Sequence, residues 1–371
     1  MARKKQPKDE FYSLTEIKKR GADYNIIFGE RSNGKTFAVL FEAIQGYCTN
    51  GEQMGLIRRY QEDFRGKRGT ELYNPLVNLN IIETLSNGAW THVHYYSGRW
   101  YLCRYDETEN GKTIRIVDDT PFSYGFALAS MEHDKGTRYP RIKIILFDEF
   151  ISRMGYIPDE FMLFLNCLST IIGQRNDVVI YMLGNTVNKY CPYFAEMGLK
   201  HIRDMQQGTI DVYTIESAGL KIAVEYCASK KKSKKSNKYF AFENQKAKMI
   251  THGIWEIDIY PHLPHKYKPR NVLFEFFNEF DGEMLHWEII EINGNIFAYV
   301  HRKTTPLRRP DTDLIYTTVP GYKNNHRTNI LKDTLPISAK VRQLINDDKI
   351  FYQDNEVGEI VYNYIQWCKV N

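Results

Sequence analysis

Eight consecutive residues near the start of the chain have the types and spacing of a phosphate-binding loop. They are Gly29, Glu30, Arg31, Ser32, Asn33, Gly34, Lys35 and Thr36, which fit G-x-x-x-x-G-K-[ST]. Glycines let main-chain N–H groups turn toward phosphate oxygens, and the N-terminus of a following helix adds the positive end of its dipole. In such a loop Lys35 reaches the β- and γ-phosphates and Thr36 binds Mg²⁺. The pattern therefore predicts a site for a magnesium–nucleotide complex.

Two acids at the end of an apolar run supply a second part of the same chemistry. Asp148 and Glu149 follow residues 142–147, Ile-Lys-Ile-Ile-Leu-Phe, a pattern typical of a parallel strand buried on both faces. The carboxyl ends of such strands line the ligand-binding edge of open α/β sheets. There Asp148 would coordinate Mg²⁺ and Glu149 would deprotonate the attacking water. The pair favours hydrolysis over phosphoryl transfer to a second substrate.

A polar side chain also follows the next apolar run. Residues 178–183 predict a third strand, and Asn185 comes two residues after it. An amide at that position can sense the γ-phosphate or the lytic water, which makes Asn185 a candidate catalytic residue. The alternative interpretation is that Asn185 is simply an asparagine in an ordinary strand-to-loop turn.

Sites that cleave phosphate often use one more cation, from the same chain or from a neighbour. Arg175, between a predicted helix and the third strand, is the first candidate. Lys135 and Arg138, just before the strand of Asp148, rank second, and Arg31 lies inside the loop itself. For Arg175, Lys135 and Arg138 the simpler interpretation is a surface cation.

These residues need an α/β framework to position them. Residues 25–28 predict a short buried strand before the loop, residues 36–44 predict a helix with an apolar face after it, and residues 54–60 predict a second strand. Residues 90–119 predict an antiparallel meander with turns at Ser97-Gly98 and Asn110-Gly111.

Three parts are predicted along the chain. Residues 1–205 form the phosphate-binding domain, 206–250 an irregular connector, and 251–371 a mostly β domain closed by two helices. Within the connector, residues 229–238 are Lys and Ser with one Asn and no apolar residue, which predicts a mobile segment. Its lysines either contact nucleic-acid phosphates or are simply solvated.

Composition narrows the class of protein. A formal net charge of +5 is compatible with a polyanionic partner. No apolar stretch is long enough to span a membrane, and the basic first residues lack the apolar core of a secretory signal. The six cysteines form no C-x-x-C pair. This argues against a cysteine zinc site and a disulfide framework, and for a reducing compartment.

Together these residues resemble the DNA-packaging (encapsidation) ATPases of small tailed phages of the φ29 type, relatives of the large terminase motors. The likeness is close over roughly residues 20 to 195 and faint beyond. It is carried by the loop G-E-R-S-N-G-K-T, by Ile57-Arg58-Arg59-Tyr60, by the stretch from Tyr139-Pro140 through Asp148-Glu149 to Tyr156-Ile157-Pro158, and by Leu183-Gly184-Asn185 followed by Cys191-Pro192-Tyr193-Phe194.

The resemblance implies an ASCE-type P-loop sheet with helices on both faces, in a homo-oligomeric ring that is pentameric in the family. Such a ring uses ATP and Mg²⁺ to drive double-stranded DNA into a preformed procapsid. It acts in the host-cell cytoplasm, transiently at the portal vertex, with a structural packaging RNA in the best-known members. Arg175 and Lys135 would act in trans, on a neighbour's site. Gln61 departs from the basic residue that the family has after Arg-Arg-Tyr.

For residues 251–371 the resemblance implies a smaller α+β domain similar to an RNase H-type nuclease. Active nucleases of that kind hold two metals with acids on neighbouring strands. Here residues 274–277 carry only Glu275, with Glu279 and Asp281 in the next predicted loop. The expectation is a vestigial nuclease that binds nucleic acid without cutting it; a plain structural β domain fits the same letters.

Two other functions share parts of the pattern. A GTPase or nucleotide kinase would have the same loop, but a GTPase needs N-K-x-D, and the sequence Asn188-Lys189-Tyr190-Cys191 lacks the aspartate. A non-catalytic nucleic-acid-binding scaffold would carry a degenerate loop. The intact Lys35, Thr36, Asp148 and Glu149 argue against it.

Overall fold

The computed structural model describes residues 12–31, 33–133, 138–152, 156–186, 191–228, 260–263, 266–319 and 323–371. The chain divides into two compact units, and each is described by itself. The first contains the described residues up to 228, except 156–158 and 191–195, which group with the second unit. The Lys-rich run at 229–238 lies outside the described residues.

One ten-stranded sheet forms the framework of the first unit. Its strands are β1 (Tyr24–Gly29), β2 (Gln53–Arg58), β3 (His92–Tyr96), β4 (Arg99–Glu107), β5 (Thr113–Val117), β6 (Ser123–Ala127), β7 (Ile142–Asp148), β8 (Val179–Asn185), β9 (Ile210–Ile215) and β10 (Leu220–Cys227). The order is β3-β4-β6-β2-β7-β8-β1-β10-β9, with β5 paired to β4. The block from β6 to β10 is parallel, and β3, β4 and β5 form the predicted antiparallel meander.

Helices connect these strands and close the second unit. In the described residues they are α1 (Thr15–Lys18), α2 (Lys35–Asn50), α3 (Lys67–Thr70), α4 (Asn74–Asn78), α5 (Ile81–Leu85), α6 (Glu160–Ile172), α7 (Pro192–Glu196), α8 (Pro336–Asn346) and α9 (Asn355–Val370). None of them is long and apolar enough to cross a lipid bilayer.

The large sheet is covered on both faces, as predicted. Along β7, Leu146 packs into the core that contains the apolar side of α2. The next residue, Phe147, points the other way and stacks on Phe164 of α6 with ring centroids 5.2 Å apart. Successive side chains of a strand alternate between faces, so a continuous apolar run is what a strand between two helical layers requires.

Three strand ends meet at one edge of this sheet. Strand β8 lies between β1 and β7, the arrangement expected of the ASCE class. Because the three strands are parallel, their carboxyl ends fall together, and the register pairs Gly29 with Asn185 and Asp148 with Leu183. This edge is where the phosphate-binding loop leaves the sheet.

Residues 210–227 differ from the irregular connector that the sequence predicts. They form β9 and β10, and β10 pairs in parallel with β1, with Ile26 opposite Val224. The apolar Ile222, Ala223 and Val224 are fully buried. A three-residue apolar core flanked by polar residues, close to a lysine run, gives a weak strand signal, and burial against β1 decides the structure here.

The second unit is an α+β domain, as predicted. Its six-stranded sheet contains β11 (Val272–Phe280), β12 (Glu283–Ile292), β13 (Asn295–Arg302), β14 (Ile315–Thr317), β15 (His326–Arg327) and β16 (Ile350–Tyr352), in the order β15-β14-β11-β12-β13-β16. Strands β11, β12 and β13 are antiparallel neighbours. Trp287 and Val300 pack with α8 and α9 on one face. Kinship with RNase H-type nucleases stays a prediction.

Candidate nucleotide-binding and hydrolysis site

The loop between β1 and α2 turns at two glycines whose backbone conformations favour glycine. Gly29 has φ +150° and Gly34 has φ +92°. A Cβ at Gly29 would lie 2.7 Å from both the carbonyl oxygen and the Sγ of Cys227 on β10, too close for any side chain. The loop can therefore turn sharply only with glycine at its start. Ser32 lies outside the described residues, and Arg31 is exposed.

Lys35 crosses the mouth of the loop. It is only 6% exposed, and its Nζ donates to the carbonyl oxygen of Glu30 at 2.7 Å and to Oδ1 of Asn185 at 3.4 Å. A buried ammonium needs such oxygen partners. A phosphate bound in the loop would offer stronger, charged acceptors at the same place. The arrangement joins the predicted phosphate lysine to the predicted sensor residue.

The loop is anchored from behind. The Asn33 Nδ2 donates to Sγ of Cys227 at 3.0 Å, and the main-chain N–H of Tyr12 donates to the carbonyl of Asn33 at 2.9 Å. Tyr12 in turn donates its hydroxyl to Glu225. Burial raises the pKa of the Cys227 thiol, so it stays neutral beside the loop. These contacts tie the loop to β10.

Thr36 and Asp148 face each other across the cleft. The Thr36 hydroxyl donates to Asp148 Oδ1 at 3.3 Å, and the aspartate is 7% exposed. Its second oxygen, Oδ2, pairs with Nη2 of Arg58 at 2.9 Å. A hydroxyl and a carboxylate are the oxygen ligands that Mg²⁺ takes in nucleotide sites, where waters and phosphates complete the octahedron. The donor set present here therefore fits that ion.

Glu149 stands at the rim of the same cleft in a constrained turn. Its side chain is exposed, and its φ of +61° is a left-handed conformation that costs an L-residue about 1–2 kcal/mol. The cleft encloses about 240 Å³ and is lined by Asn33, Gly34, Lys35, Thr36, Phe37, Asp148, Glu149, Leu183, Gly184 and Asn185. Of the predicted binding, metal and catalytic residues that the structure describes, seven line this cleft, whereas Gly29, Glu30, Arg31 and Arg175 do not.

Arg59 holds the turn that presents Glu149. Its guanidinium donates to the main-chain carbonyls of Glu149 and Phe150, pairs with the Glu160 carboxylate at 2.9 Å, and lies 5.8 Å from the ring centroid of Phe147. The arginine and glutamate side chains are 10% and 1% exposed. A fixed fork of donors buried among these partners can keep the left-handed turn in place.

Arg58 and Arg59 carry no role in the sequence-based prediction. The available signal is two adjacent arginines at the carboxyl end of an apolar strand, β2, which is unusual for a strand buried in a sheet. Their partners, Asp148 and Glu160, lie 90 and 101 residues further along the chain. Only the fold brings these charges together.

Arg175 lies at the opposite edge of the sheet from Asp148. Its guanidinium donates to the carbonyls of Ile171 and Ile172 at the end of α6, and to those of Pro140 and Ile142 at the start of β7. It therefore fastens the end of α6 to the amino end of β7 and cannot reach the cleft of its own chain. Lys135, the other predicted trans residue, lies outside the described residues.

Comparison with known proteins identifies the group that the chain resembles. A family model described as Podovirus DNA encapsidation protein (Gp16) matches residues 105–236. The DNA packaging protein of Bacillus phage B103 is 26% identical over 178 residues, which cover 47% of this chain and 48% of that protein. The resemblance to the φ29-type encapsidation proteins is confirmed. The chain spans about half the length of the curated relatives it matches.

Solved structures of packaging motors show a similar fold, with matches that cover most of the chain. The Phi-28 gp11 DNA packaging motor superposes with a TM-score of 0.54 at 19% identity, over 98% of this chain and 99% of that one. The packaging motor assembly of bacteriophage Phi-29 gives 0.52 at 18% identity, over 95% and 98%. At such identities the likeness establishes the fold alone, a mixed α/β architecture shared with these packaging motors.

Proposed function

We propose that this chain is an ATP-hydrolysing motor subunit that moves double-stranded viral DNA into a preformed procapsid. The observation that carries the proposal is the convergence of Lys35, Thr36, Asp148 and Glu149 in one cleft, with Thr36 Oγ1 3.3 Å from Asp148 Oδ1. The relatives and structural neighbours are DNA packaging proteins and packaging motors. They are the reason for proposing DNA packaging rather than another use of ATP.

We propose a task for each of the candidate catalytic and binding side chains in the cleft. The loop N–H groups and Lys35 would bind the β- and γ-phosphates, and Thr36 and Asp148 would hold Mg²⁺, which would supply positive charge to the phosphate oxygens. Glu149, exposed at the rim, takes the proton of the attacking water. Asn185, which already contacts Lys35, would act as the sensor residue for the terminal phosphate. Arg59 keeps Glu149 at the rim through the main chain.

Replacing Asp148 by asparagine will raise the Mg²⁺ concentration needed for half-maximal ATP turnover by about tenfold or more, because a neutral amide binds this ion more weakly than a carboxylate. The measurement is a magnesium titration of phosphate release. Asp106→Asn is a matched control, because Asp106 also pairs with an arginine, Arg104, but lies on β4. An unchanged magnesium requirement in Asp148→Asn would remove this residue from the metal site.

A role for Arg175 in hydrolysis requires a neighbouring subunit, because in its own chain it lies at the far edge of the sheet. We propose that a ring brings this edge to a neighbour's cleft, where Arg175 exchanges some carbonyl partners for the reacting phosphate. Lys135 is proposed for the same interface. The charge would then stabilise the transition state in trans.

Mixing Arg175→Ala subunits with Lys35→Ala subunits will restore part of the ATP turnover that each variant lacks alone. In a mixed ring, some intact clefts receive an intact arginine from a neighbour. Phosphate release is measured across a series of mixing ratios, with thermal unfolding of each variant as the control for its loss of carbonyl contacts. Absence of rescue at every ratio, with both proteins folded, contradicts the trans assignment.

The proposed partners follow from the same function. They are double-stranded DNA gripped mainly through its phosphates, the portal of a procapsid, and further copies of this chain in a ring. A motor must accept any sequence, so contacts to the backbone serve it better than contacts to base edges. A five-membered ring and a structural packaging RNA remain predictions; the symmetry of the particle assembled on a portal tests the first.

ATP turnover with and without long duplex DNA tests the function. The motor proposal predicts magnesium-dependent ATP hydrolysis that increases strongly with duplex DNA. A preference for GTP, or phosphoryl transfer to a nucleotide acceptor, would instead identify a GTPase or nucleotide kinase. DNA binding without any turnover, in the presence of procapsids as well, would identify a non-catalytic scaffold.

A further inference from the structure

A group of metal-binding side chains lies on the second unit, outside the ATP cleft. His286 and Glu288 are two residues apart on β12, and His301 lies on the neighbouring β13, directly opposite His286. One ring nitrogen from each histidine and one oxygen of Glu288 all lie within 4.8 Å of one another. They share the face of the sheet that alternates with Trp287 and Val300, which point into the core under α8 and α9.

The group is partly shielded and its rings are held in place. The side chains of His286, His301 and Glu288 are 13%, 27% and 15% exposed. The ring of Phe277 stacks on His286 at 4.7 Å, and that of Tyr299 stacks on His301 at 5.5 Å. The cluster is therefore ordered yet open to solvent, as an ion-binding site on a sheet must be.

Hydrogen bonding directs the free nitrogen of His301 toward a carboxylate. The Nδ1–H of His301 donates to the carbonyl oxygen of Arg302 at 3.1 Å, which leaves a lone pair on Nε2 of the neutral ring. That Nε2 lies 3.3 Å from Oε2 of Glu288, an oxygen that already accepts the hydroxyl of Tyr267. Two acceptors face each other, so this contact needs a cation or an extra proton between them.

The two imidazole rings lie close together, with centroids 4.8 Å apart. One ring nitrogen from each histidine and one oxygen of Glu288 are near enough for a single divalent ion to contact all three. In this structure Nε2 of His286 is hydrogen-bonded to Glu275. The backbone carbonyl behind His301 and the tyrosine hydroxyl on Glu288 are the kind of outer partners that orient metal ligands.

We propose that His286, Glu288 and His301 bind one divalent transition-metal ion of the Zn²⁺ type. Two imidazoles and one carboxylate form a ligand set that zinc uses in proteins, and soft or borderline ions favour imidazole over the all-oxygen shell of Mg²⁺. Glu275 on β11 is 47% exposed, with its Oε2 3.0 Å from Nε2 of His286, so it is within reach as a fourth ligand. The bound ion would join β11, β12 and β13.

Zinc binding by the tag-free, full-length chain tests this site without reference to ATP. After chelator treatment and gel filtration, titration with Zn²⁺ alone is expected to give one bound ion per chain. The thermal midpoint of the second unit is expected to rise by roughly 5–10 °C at a hundredfold excess over Kd. His286→Gln/His301→Gln is expected to lose both effects. His92→Gln/His94→Gln, which removes another strand histidine pair, on β3, is expected to keep them.

Cobalt substitution keeps the test decisive if the double variant misfolds. Co²⁺ bound to the unmodified chain is expected to show visible d–d absorption without the near-ultraviolet band of a thiolate ligand. A thiolate band would assign the ion to cysteines and overturn the proposal. So would equal zinc binding by the two double variants, or no retained zinc at micromolar concentrations.

Discussion

Glu149→Gln will bind ATP as tightly as the unaltered protein and hydrolyse it about 10²–10⁴-fold more slowly. The side chain lies at the rim of the cleft rather than on the phosphates, so the substitution removes a base without removing a binding contact. Glutamine keeps the shape of glutamate and can still orient a water, but it accepts no proton. Nucleotide affinity and single-turnover phosphate release, measured on the same preparation, separate the two effects.

Glu62→Gln is the matched control for this substitution. Glu62 is an exposed acid just beyond β2, paired with Arg65 at 3.6 Å, and no predicted step uses it. Turnover of this control should equal that of the unaltered chain. Wild-type phosphate release from Glu149→Gln would exclude Glu149 as the general base, and a parallel loss of ATP affinity would place it in binding instead.

Arg59→Met will lower both stability and turnover. Removing the arginine breaks its ion pair with the Glu160 carboxylate, which is 1% exposed, and breaking a buried pair costs about 3–5 kcal/mol. It also removes the guanidinium donors from the carbonyls of Glu149 and Phe150. The turn that presents Glu149 then loses its restraint, so hydrolysis falls further than stability alone explains. Denaturant unfolding and turnover at a temperature where the variant is folded measure the two losses.

The double variant Arg59→Met/Glu160→Leu separates the two roles of the arginine. With both charges replaced by apolar side chains of similar volume, most of the lost stability should return. Turnover should remain low, because no guanidinium holds the carbonyls after β7. Full recovery of turnover together with stability would show that Arg59 acts on the fold alone and not on the position of Glu149.

The parts of the site that sequence patterns predict are those that depend on residues close together in the sequence. The loop before α2, the acids that end β7 and the amide that ends β8 each follow an apolar run, and parallel strands carry such ends to one edge. The helices on both faces are also predictable, because every residue of β7 before Asp148 is apolar except Lys143. Local periodicity is enough for these elements.

The features that sequence patterns do not predict depend on distant pairing. Arg59 contacts Glu160 only because β2 pairs with β7 in the sheet. Residues 220–227 form strand β10 because they pair with β1. Likewise, His301 lies beside His286 only because of the register between β12 and β13, so no short sequence motif predicts the proposed metal site. Arg175 lies between α6 and β8, as the sequence predicts, but its four carbonyl partners come from the end of α6 and from residues 140 and 142, which only the fold brings together.

The most direct test of the central claim is an equilibrium titration of the purified chain with ATP and Mg²⁺, in parallel with Lys35→Ala. Saturable binding to the unaltered chain is expected. A loss of roughly 10²-fold or more in affinity is expected when the buried ammonium at the mouth of the loop is removed, because it is the charge placed to meet the terminal phosphates. No measurable affinity for ATP, alone or on portal-bearing procapsids, would contradict the account, as would unchanged affinity in Lys35→Ala.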